Sequence, residues 1–128
     1  MTFYIASSFR NVEAVRTLAT SLQKLGYTQT YDWTQHQRAS EAQELKTIGE
    51  LEKQAVERAR FFILLLPAGK GSHVELGLAL ATNKPIIIHS PPRTTIDPST
   101  FYYLNGVTHS NSELSDLPTI IDEWVRST

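Results

Sequence analysis

The 128-residue sequence contains no cysteine, which excludes disulfide bonds and thiolate chemistry. It also lacks an excess of charge, since 12 Lys and Arg residues against 13 Asp and Glu residues leave a net charge of −1. This balance gives no bulk attraction to a nucleic acid polymer or an anionic membrane. No apolar run approaches the roughly 20 residues that a transmembrane helix needs. We therefore expect a soluble, cytoplasmic protein that binds neither nucleic acid polymers nor membranes.

Motifs for metal ions and for nucleoside triphosphates are also missing. The four histidines, His36, His73, His89 and His109, are too scattered for a metal site. The segment "GKGS", residues 69–72, lacks the G-x-x-x-x-G-K-[ST] pattern of a P-loop. We therefore expect no metal ion and no cofactor.

Apolar strands and amphipathic helices alternate along a chain whose length suits one domain, residues 1–128. The pattern predicts strands at residues 2–6, 27–33, 61–67, 84–90 and 104–109, and helices at residues 12–25, 40–59, 72–83 and 116–126. This alternation is typical of an α/β three-layer sandwich, flavodoxin-like or Rossmann-like, with an open parallel sheet of about five strands.

In such sheets ligands bind at the carboxyl ends of the strands. Four loops are predicted at that edge: "SSFRN" after the first strand, "DWTQHQ" after the second, "PAGKGSHVE" after the third and "SPPR" after the fourth. The functional residues are therefore sought in these loops and in the helix turns that follow them.

Glu75 follows the third of these loops, where an otherwise apolar helix begins. Ser72 and Glu75 have the S-x-x-E spacing of a capping box, which offers a purely structural explanation. The functional explanation is that Gly69 and Gly71 admit a ligand close to the backbone of a helix N-terminus, which favours anions. The helix dipole there should lower the pKa of Glu75, and an ionised carboxylate suits a nucleophile.

Glu52 interrupts the apolar stripe of the second predicted helix. A buried acid is costly unless it has partners, and the alternative is a partly exposed Glu52 paired with Lys53 or Arg58. The stripe itself consists of Leu45, Ile48, Ala55 and Ala59.

Tyr4 lies inside the first strand, where its hydroxyl needs a hydrogen-bond partner. We expect the first strand beside the third, which makes Glu75 a candidate partner. The alternative is a core tyrosine bonded elsewhere.

Together these residues resemble the nucleoside 2-deoxyribosyltransferase superfamily, which includes the 2′-deoxynucleoside 5′-monophosphate N-glycosidases. The resemblance extends over residues 2–90 and is most specific in G-x-x-x-E-L-G-x-A, residues 71–79. It implies a homodimer with Glu75 as the nucleophile, Tyr4 as the residue that orients it, and Glu52 in place of a helix-two acid that is usually aspartate. The aspartate that transferases carry before the glycine-rich turn is absent here, which weakens the transferase interpretation.

The resemblance also implies a substrate-binding set in the first three loops. Ser7, Ser8, Phe9 and Arg10 match a loop that holds a 5′-phosphate, with Gly69, Gly71 and Ser72 on its other side. Trp33 offers a stacking surface for a base and Asp32 a polar contact. The alternatives are an exposed turn with a solvated arginine and a half-buried tryptophan without a ligand.

The function expected from the sequence is an N-glycosidase that acts on a (deoxy)nucleoside 5′-monophosphate or a related nucleoside. The alternatives are a nucleoside 2-deoxyribosyltransferase, a TIR-like NAD glycohydrolase, and a non-catalytic nucleotide-binding module in which Glu75 is only a cap. The expected partners are a nucleoside or nucleotide and a second copy of the chain, with Tyr102, Tyr103 and Asn105 as candidates for the residue lent to the other subunit.

Overall fold

The computed structural model describes residues 1–36 and 39–128. Over these residues there are five strands: β1 (Thr2–Ala6), β2 (Thr28–Gln29), β3 (Phe61–Leu65), β4 (Ile86–His89) and β5 (Val107–Ser110). They form one sheet in the order β2-β1-β3-β4-β5, and every neighbouring pair is parallel. This order is that of the flavodoxin-like fold and confirms the predicted open parallel sheet.

The described residues also form four α-helices. They are α1 (Val12–Lys24), α2 (Ala42–Arg58), α3 (Lys70–Ala81) and α4 (Leu117–Arg126), with short 3₁₀ turns at Phe9–Asn11, Trp33–Gln35, Thr100–Tyr103 and Leu114–Asp116. Helix α2 packs on α3, and α1 packs on α4. The connection from β1 to β2 runs in the opposite direction across the sheet to the connections from β2 to β3 and from β3 to β4. Because parallel crossovers are right-handed, the two helix pairs lie on opposite faces of the sheet. None of the described helices is long and apolar enough to cross a membrane.

Strands β1 and β3 form the centre of the core. Every side chain of β3 is buried, and in β1 only Thr2 is partly exposed. Tyr4 pairs in register with Phe62, and their rings stack with centroids 5.9 Å apart. The chain runs from β1 to β2 on one side of it, and then crosses over β1 to reach β3 on the other side. The loops after β1 and β3 therefore lie side by side. This is the switch in strand order at which ligands bind in such sheets.

The start of α3 corrects the sequence prediction. The helix begins at Lys70 rather than Ser72, because Gly69 is the extended residue that precedes its first turn. Ser72 is the third helical residue, and its Oγ accepts a hydrogen bond from the N–H of Gly69 at 2.8 Å. The capping box between Ser72 and Glu75, the structural alternative for Glu75, is therefore not formed, and Glu75 lies in the second turn of the helix.

Every strand after β1 is shorter than predicted, and so is α2. Strand β2 contains only Thr28–Gln29, because the chain then turns away to the 3₁₀ turn Trp33–Gln35. Helix α2 begins at Ala42, two residues after the predicted start. Gln37, which the sequence placed in the loop after β2, lies outside the described residues.

Candidate active site

Tyr4 holds two carboxylates together beneath the carboxyl edge of the sheet. The Tyr4 hydroxyl donates a hydrogen bond to Oε2 of Glu75, which is the partner that the sequence predicted. It also lies 3.4 Å from Oε2 of Glu52, a long contact for an O–H donor. Tyr4 is fully buried and Glu75 is 8% exposed, whereas Glu52 is half-buried. A β1 side chain is therefore in contact with acids from both α2 and α3.

The topology explains this convergence. Helix α3 follows β3, the neighbour of β1, while α2 packs across α3 and over β1. The two helices thus present Glu52 and Glu75 towards the same strand. Glu52 forms no salt bridge with Lys53 or Arg58 in the described part of the chain, so its polar partner is the Tyr4 hydroxyl rather than a surface cation.

The pKa of Glu75 is raised, against the prediction. Burial is the main cause and the nearby Glu52 carboxylate adds to it, so the pKa reaches about 8 although the Tyr4 hydrogen bond opposes the change. The predicted lowering was wrong because the helix dipole acts mainly within the first turn, and Glu75 lies beyond it. Burial also raises the pKa of Glu52. The pair therefore holds one proton near neutral pH.

The pKa of Tyr4 is raised by burial and by the charges of Glu75 and Glu52. Its hydroxyl consequently stays protonated and remains a donor to the carboxylates over the whole working pH range. Tyr4 can therefore donate a hydrogen bond to the carboxylates but cannot act as a base at neutral pH.

The two carboxylates open into a cavity of about 1110 Å³. This volume accommodates a nucleotide-sized ligand. Part of its lining is apolar and aromatic, and the rest carries hydroxyls, glycines, a histidine and two lysines. The apolar lining residues are Phe9, Trp33, Ala39, Leu45, Ile48, Val74 and Leu78, and the others, besides the two acids, are Ser7, Ser8, His36, Gly49, Lys53, Gly69, Lys70, Gly71 and Ser72.

The apolar stripe of α2 is divided between core and cavity. Ala55 and Ala59 are buried in the core, as predicted. Leu45, which is 51% exposed, and the half-buried Ile48 instead line the cavity beside Glu52. The first half of this helix therefore serves the site rather than the sheet.

The loop after β1 is tied to β3 by Ser7. Its Oγ donates to the carbonyl of Leu65 at 2.8 Å and accepts from Nδ2 of Asn11 at 3.0 Å. The Oγ of Ser8 is buried and has no hydrogen-bond partner among the described residues. Ser8 is therefore the cavity-lining serine whose hydroxyl is not engaged by another described residue.

Trp33 is among the residues that line the cavity, although it is only 5% exposed. Its Nε1 donates to the carbonyl of Ile5 at 2.6 Å, and the ring packs edge-to-face with Phe9 at 5.5 Å. These contacts fix the ring as a rigid part of the wall.

Arg10 and Asp32 are not brought to the cavity wall. Arg10 is exposed on the 3₁₀ turn after β1. Asp32 caps the next 3₁₀ turn, where it accepts hydrogen bonds from the N–H of Thr34 at 3.0 Å and from Nε2 of Gln35 at 3.1 Å. Substrate contacts by these two residues stay sequence predictions.

Among the cavity residues that the sequence analysis did not assign to the site are three with basic side chains, His36, Lys53 and Lys70. His36 stacks on Tyr31 and is hydrogen-bonded to its hydroxyl, and its charge favours the ionised form of Glu52. The search for metal ligands treated His36 as isolated, although it lies three residues after Trp33 in a predicted binding loop. Lys70 stands within the glycine-rich loop itself.

Comparisons with known proteins bear on this geometry. No protein-family model and no curated protein matches the sequence. Among solved structures, the CMP N-glycosidase BcmB of Clostridium botulinum matches with a TM-score of 0.70 and 16% identity, over 95% of this chain and 99% of that chain. A 2-deoxyribosyltransferase of Bacillus psychrosaccharolyticus matches with a TM-score of 0.70 and 15% identity, over 92% of this chain and 90% of that one.

The chain has the fold of these two enzymes. The fold that the sequence motif implied is thereby confirmed over almost the whole length of the chain. At this level of identity the likeness concerns the fold, and the roles of individual residues are argued from the site.

Glu75→Gln should stabilise the protein at alkaline pH. The pKa of Glu75 is raised in the folded state, so the stabilisation from its bound proton is complete below the unfolded value and is lost as the pH rises through about 8. The amide carries no charge and avoids that loss. Between about pH 5 and about pH 9, the unfolding free energy of the wild type should fall by about 2–4 kcal/mol relative to Glu75→Gln.

Urea unfolding at both pH values measures this difference. The matched control is Glu44→Gln, which makes the same change at an exposed position near the start of α2. Parallel pH curves for the wild type and Glu75→Gln would contradict the buried-proton assignment.

Proposed function

We propose that this chain is an N-glycosidase that releases the base from a nucleoside 5′-monophosphate or a related nucleoside. The observation that carries the proposal is the buried cluster of Tyr4, Glu52 and Glu75 beside a nucleotide-sized cavity. Support comes from the fold, because the two solved structures described above are a CMP N-glycosidase and a 2-deoxyribosyltransferase.

The reaction proceeds in two displacements. In the first, the proton that the raised pKa of Glu75 keeps on the pair passes from Glu75 to Glu52, and the ionised Glu75 oxygen bonds to the anomeric carbon while the bond from that carbon to the base nitrogen breaks. The electron pair leaves with the base, which takes the proton of the carboxyl pair through Glu52. In the second, water attacks the anomeric carbon, Glu52 takes a water proton, and the Glu75 carboxylate is released together with the free sugar phosphate.

The shared proton of the pair suits this sequence of steps. Attack needs one ionised carboxylate, and departure of the base needs one acid. Two acids buried in contact with the same hydroxyl ionise one at a time, so the singly protonated pair supplies both forms together. Tyr4 holds the attacking oxygen of Glu75 in place without taking the proton itself.

The phosphate is assigned to the wall formed by Ser8 and the start of α3. The Ser8 Oγ lacks a partner there, Gly69 and Gly71 leave the backbone open, and Lys70 adds a positive charge. The first N–H groups of a helix favour an anion. Ser72 contributes indirectly, since its Oγ is engaged with Gly69.

The alternatives differ in what accepts or donates the sugar. A deoxyribosyltransferase would use the same Glu75 with a second base in place of water, and Ala68-Gly69-Lys70 stands here where transferases carry an aspartate. A TIR-like enzyme would release nicotinamide from NAD. The hypothesis of a non-catalytic module rested on Glu75 being a helix cap, whereas Glu75 lies in the second turn of α3. Incubation with nucleosides, nucleoside monophosphates and NAD, each with and without a second free base, separates these activities.

Glu75→Gln should abolish base release while the protein stays folded. The amide keeps the size of the side chain and can accept the Tyr4 hydrogen bond, but it is a very poor nucleophile. Base release in single-turnover assays is the measurement, and Glu44→Gln is the control that should retain full activity. Turnover close to wild type in a folded Glu75→Gln protein would remove Glu75 from the mechanism.

Lys70→Ala tests the phosphate assignment, and Arg10→Ala tests the separate sequence prediction that Arg10, which does not line the cavity, also contacts the phosphate. Loss of a charge-assisted contact is worth about 1.5–3 kcal/mol, so Lys70→Ala should lose roughly 10- to 150-fold in kcat/KM for the 5′-monophosphate, and Arg10→Ala should lose as much only if Arg10 contacts the phosphate. The matching nucleoside has no phosphate and should be turned over as before. Equal losses for both substrates would assign the residue a structural role.

We also propose that two copies of the chain form a homodimer through the apolar rim of the cavity. Val74 is 64% exposed and Leu45 is 51% exposed there, and a second copy would cover them. Tyr102 is buried and bonded within its own chain, so Tyr103 and Asn105 remain as candidates to reach the other subunit.

Light scattering at micromolar concentration should show a dimer for the wild type and a monomer for Val74→Glu, since a buried unpaired charge at the interface is costly. A fully active wild-type monomer would refute the homodimer.

A further inference from the structure

A second cavity, of about 500 Å³, adjoins the first across the segment that joins β3 to α3. Leu66, Pro67, Ala68 and His73 line this second cavity together with Tyr102 and part of the proline-rich segment 91–99, whereas Gly69 to Ser72 line the first. Movement of this segment would therefore change the candidate active site.

His73 bridges this segment to the 3₁₀ turn Thr100–Tyr103. Its Nδ1 is 2.7 Å from the carbonyl oxygen of Gly69, and its Nε2 is 2.7 Å from the hydroxyl of Tyr102. A carbonyl only accepts, so Nδ1 carries the proton and donates. In the neutral ring Nε2 is then an acceptor, and the Tyr102 hydroxyl donates to it. The two rings also stack, with centroids 5.8 Å apart.

Tyr102 is a fixed anchor for this bridge. Its side chain is buried, its carbonyl accepts from Nε2 of His109 at 2.6 Å, and its N–H donates to the carbonyl of Ser99 at 3.0 Å. His109 belongs to β5. The bridge therefore connects the edge of the sheet to the residue that precedes α3.

Gly69 is the end of the bridge that faces the first cavity. Its carbonyl also accepts from the N–H of His73 at 3.2 Å and from the Oγ of Ser72 at 2.9 Å. A Cβ added at Gly69 would lie 3.8 Å from the Cβ of Ser8. The position of Gly69 therefore sets the distance between the unpartnered Ser8 hydroxyl and the first turn of α3.

We propose that His73 and Tyr102 are positioning residues that hold Gly69 and the first turn of α3 in the geometry that binds the anionic end of the substrate. This inference rests on the proposed function for the identity of the ligand. Neither residue lines the first cavity, and both act through Gly69. The bridge fixes the binding wall before the ligand arrives, and this preorganisation favours binding.

Tyr102→Phe removes the hydroxyl and keeps the stacked ring. A net hydrogen bond corresponds to roughly a threefold to tenfold change in an equilibrium constant. The exchange of the N–H groups of Gly69 and His73 with deuterium should accelerate by that factor. The KM for a nucleoside 5′-monophosphate should rise by the same factor with kcat unchanged. Both KM and kcat for the matching nucleoside should stay constant.

His73→Ala should give a larger effect of the same kind. Because the two side chains act as one bridge, the double variant His73→Ala/Tyr102→Phe should show no larger change in amide exchange or in KM than His73→Ala alone. The matched control is Tyr27→Phe, which removes a hydroxyl bonded to Asp122 at 2.6 Å beside the amino end of β2, and it should change neither exchange nor KM.

The outcomes separate this inference from the proposed function. Unchanged exchange at Gly69 and His73 in Tyr102→Phe, additive losses in the double variant, or an equal loss for nucleoside and monophosphate would each overturn it. If the wild type releases no base from any substrate, the proposed function fails. Accelerated exchange, with weaker binding of inorganic phosphate by calorimetry, would then still support the positioning role.

Discussion

The hydrogen bond from Tyr4 to Glu75 is the contact on which the rest of the site depends. A carboxylate buried under a sheet edge is costly unless it is protonated or hydrogen-bonded. Here a second carboxylate, Glu52, lies against the same hydroxyl. The parallel pairing of β1 with β3 brings the tyrosine to α3, and the packing of α2 over β1 brings the second acid. A change in the order of these strands would separate all three groups.

This cluster opposes the stability of the fold that contains it. Burial raises the pKa of both acids, so at neutral and alkaline pH the folded chain contains a strained pair that an apolar substitution would relieve. Such a cost is typical of sites where reactive groups are held ready for use. The cost is confined to one end of the core, because below Tyr4 the central strands are packed with apolar side chains such as Phe3 and Phe61.

The sequence predicts those parts of the site that depend on periodicity and strand order. The apolar run of β3, the adjacent first strand and an acid in the stripe of α2 together predict the Tyr4–Glu75 contact. The sequence does not reveal which residue caps α3, since Gly69 and Ser72 are both acceptable there. That shift of three residues in the cap moves Glu75 out of the first turn, where the helix dipole is strongest, and burial then decides the direction of its pKa change.

Side-chain orientation in the loops is the other part that the sequence leaves open. Asp32 and Trp33 are adjacent in the chain, yet Asp32 turns back to cap its own 3₁₀ turn while Trp33 forms the cavity wall. Local hydrogen bonds of this kind compete with ligand contacts for every short polar side chain. His36 was missed because it lies near Glu52 of α2, which is distant from it in the sequence. Its contact with Tyr31 is local, but gives no sign of a site.

The geometry of α3 indicates how the proposed substrate would be oriented in the cavity. Lys70 begins the helix and Glu75 follows five residues later, which is about 7 Å along the axis at about 1.5 Å per residue. That separation is comparable to the span between the phosphate and the anomeric carbon of a nucleotide. In the proposed complex, a phosphate at Ser8 and Lys70 would bring the sugar over Glu75 and direct the base towards Phe9 and Trp33. The proposed anion-binding end would then lie apart from the acidic cluster, so that one cavity could accept a negatively charged substrate although two carboxyl groups open into it.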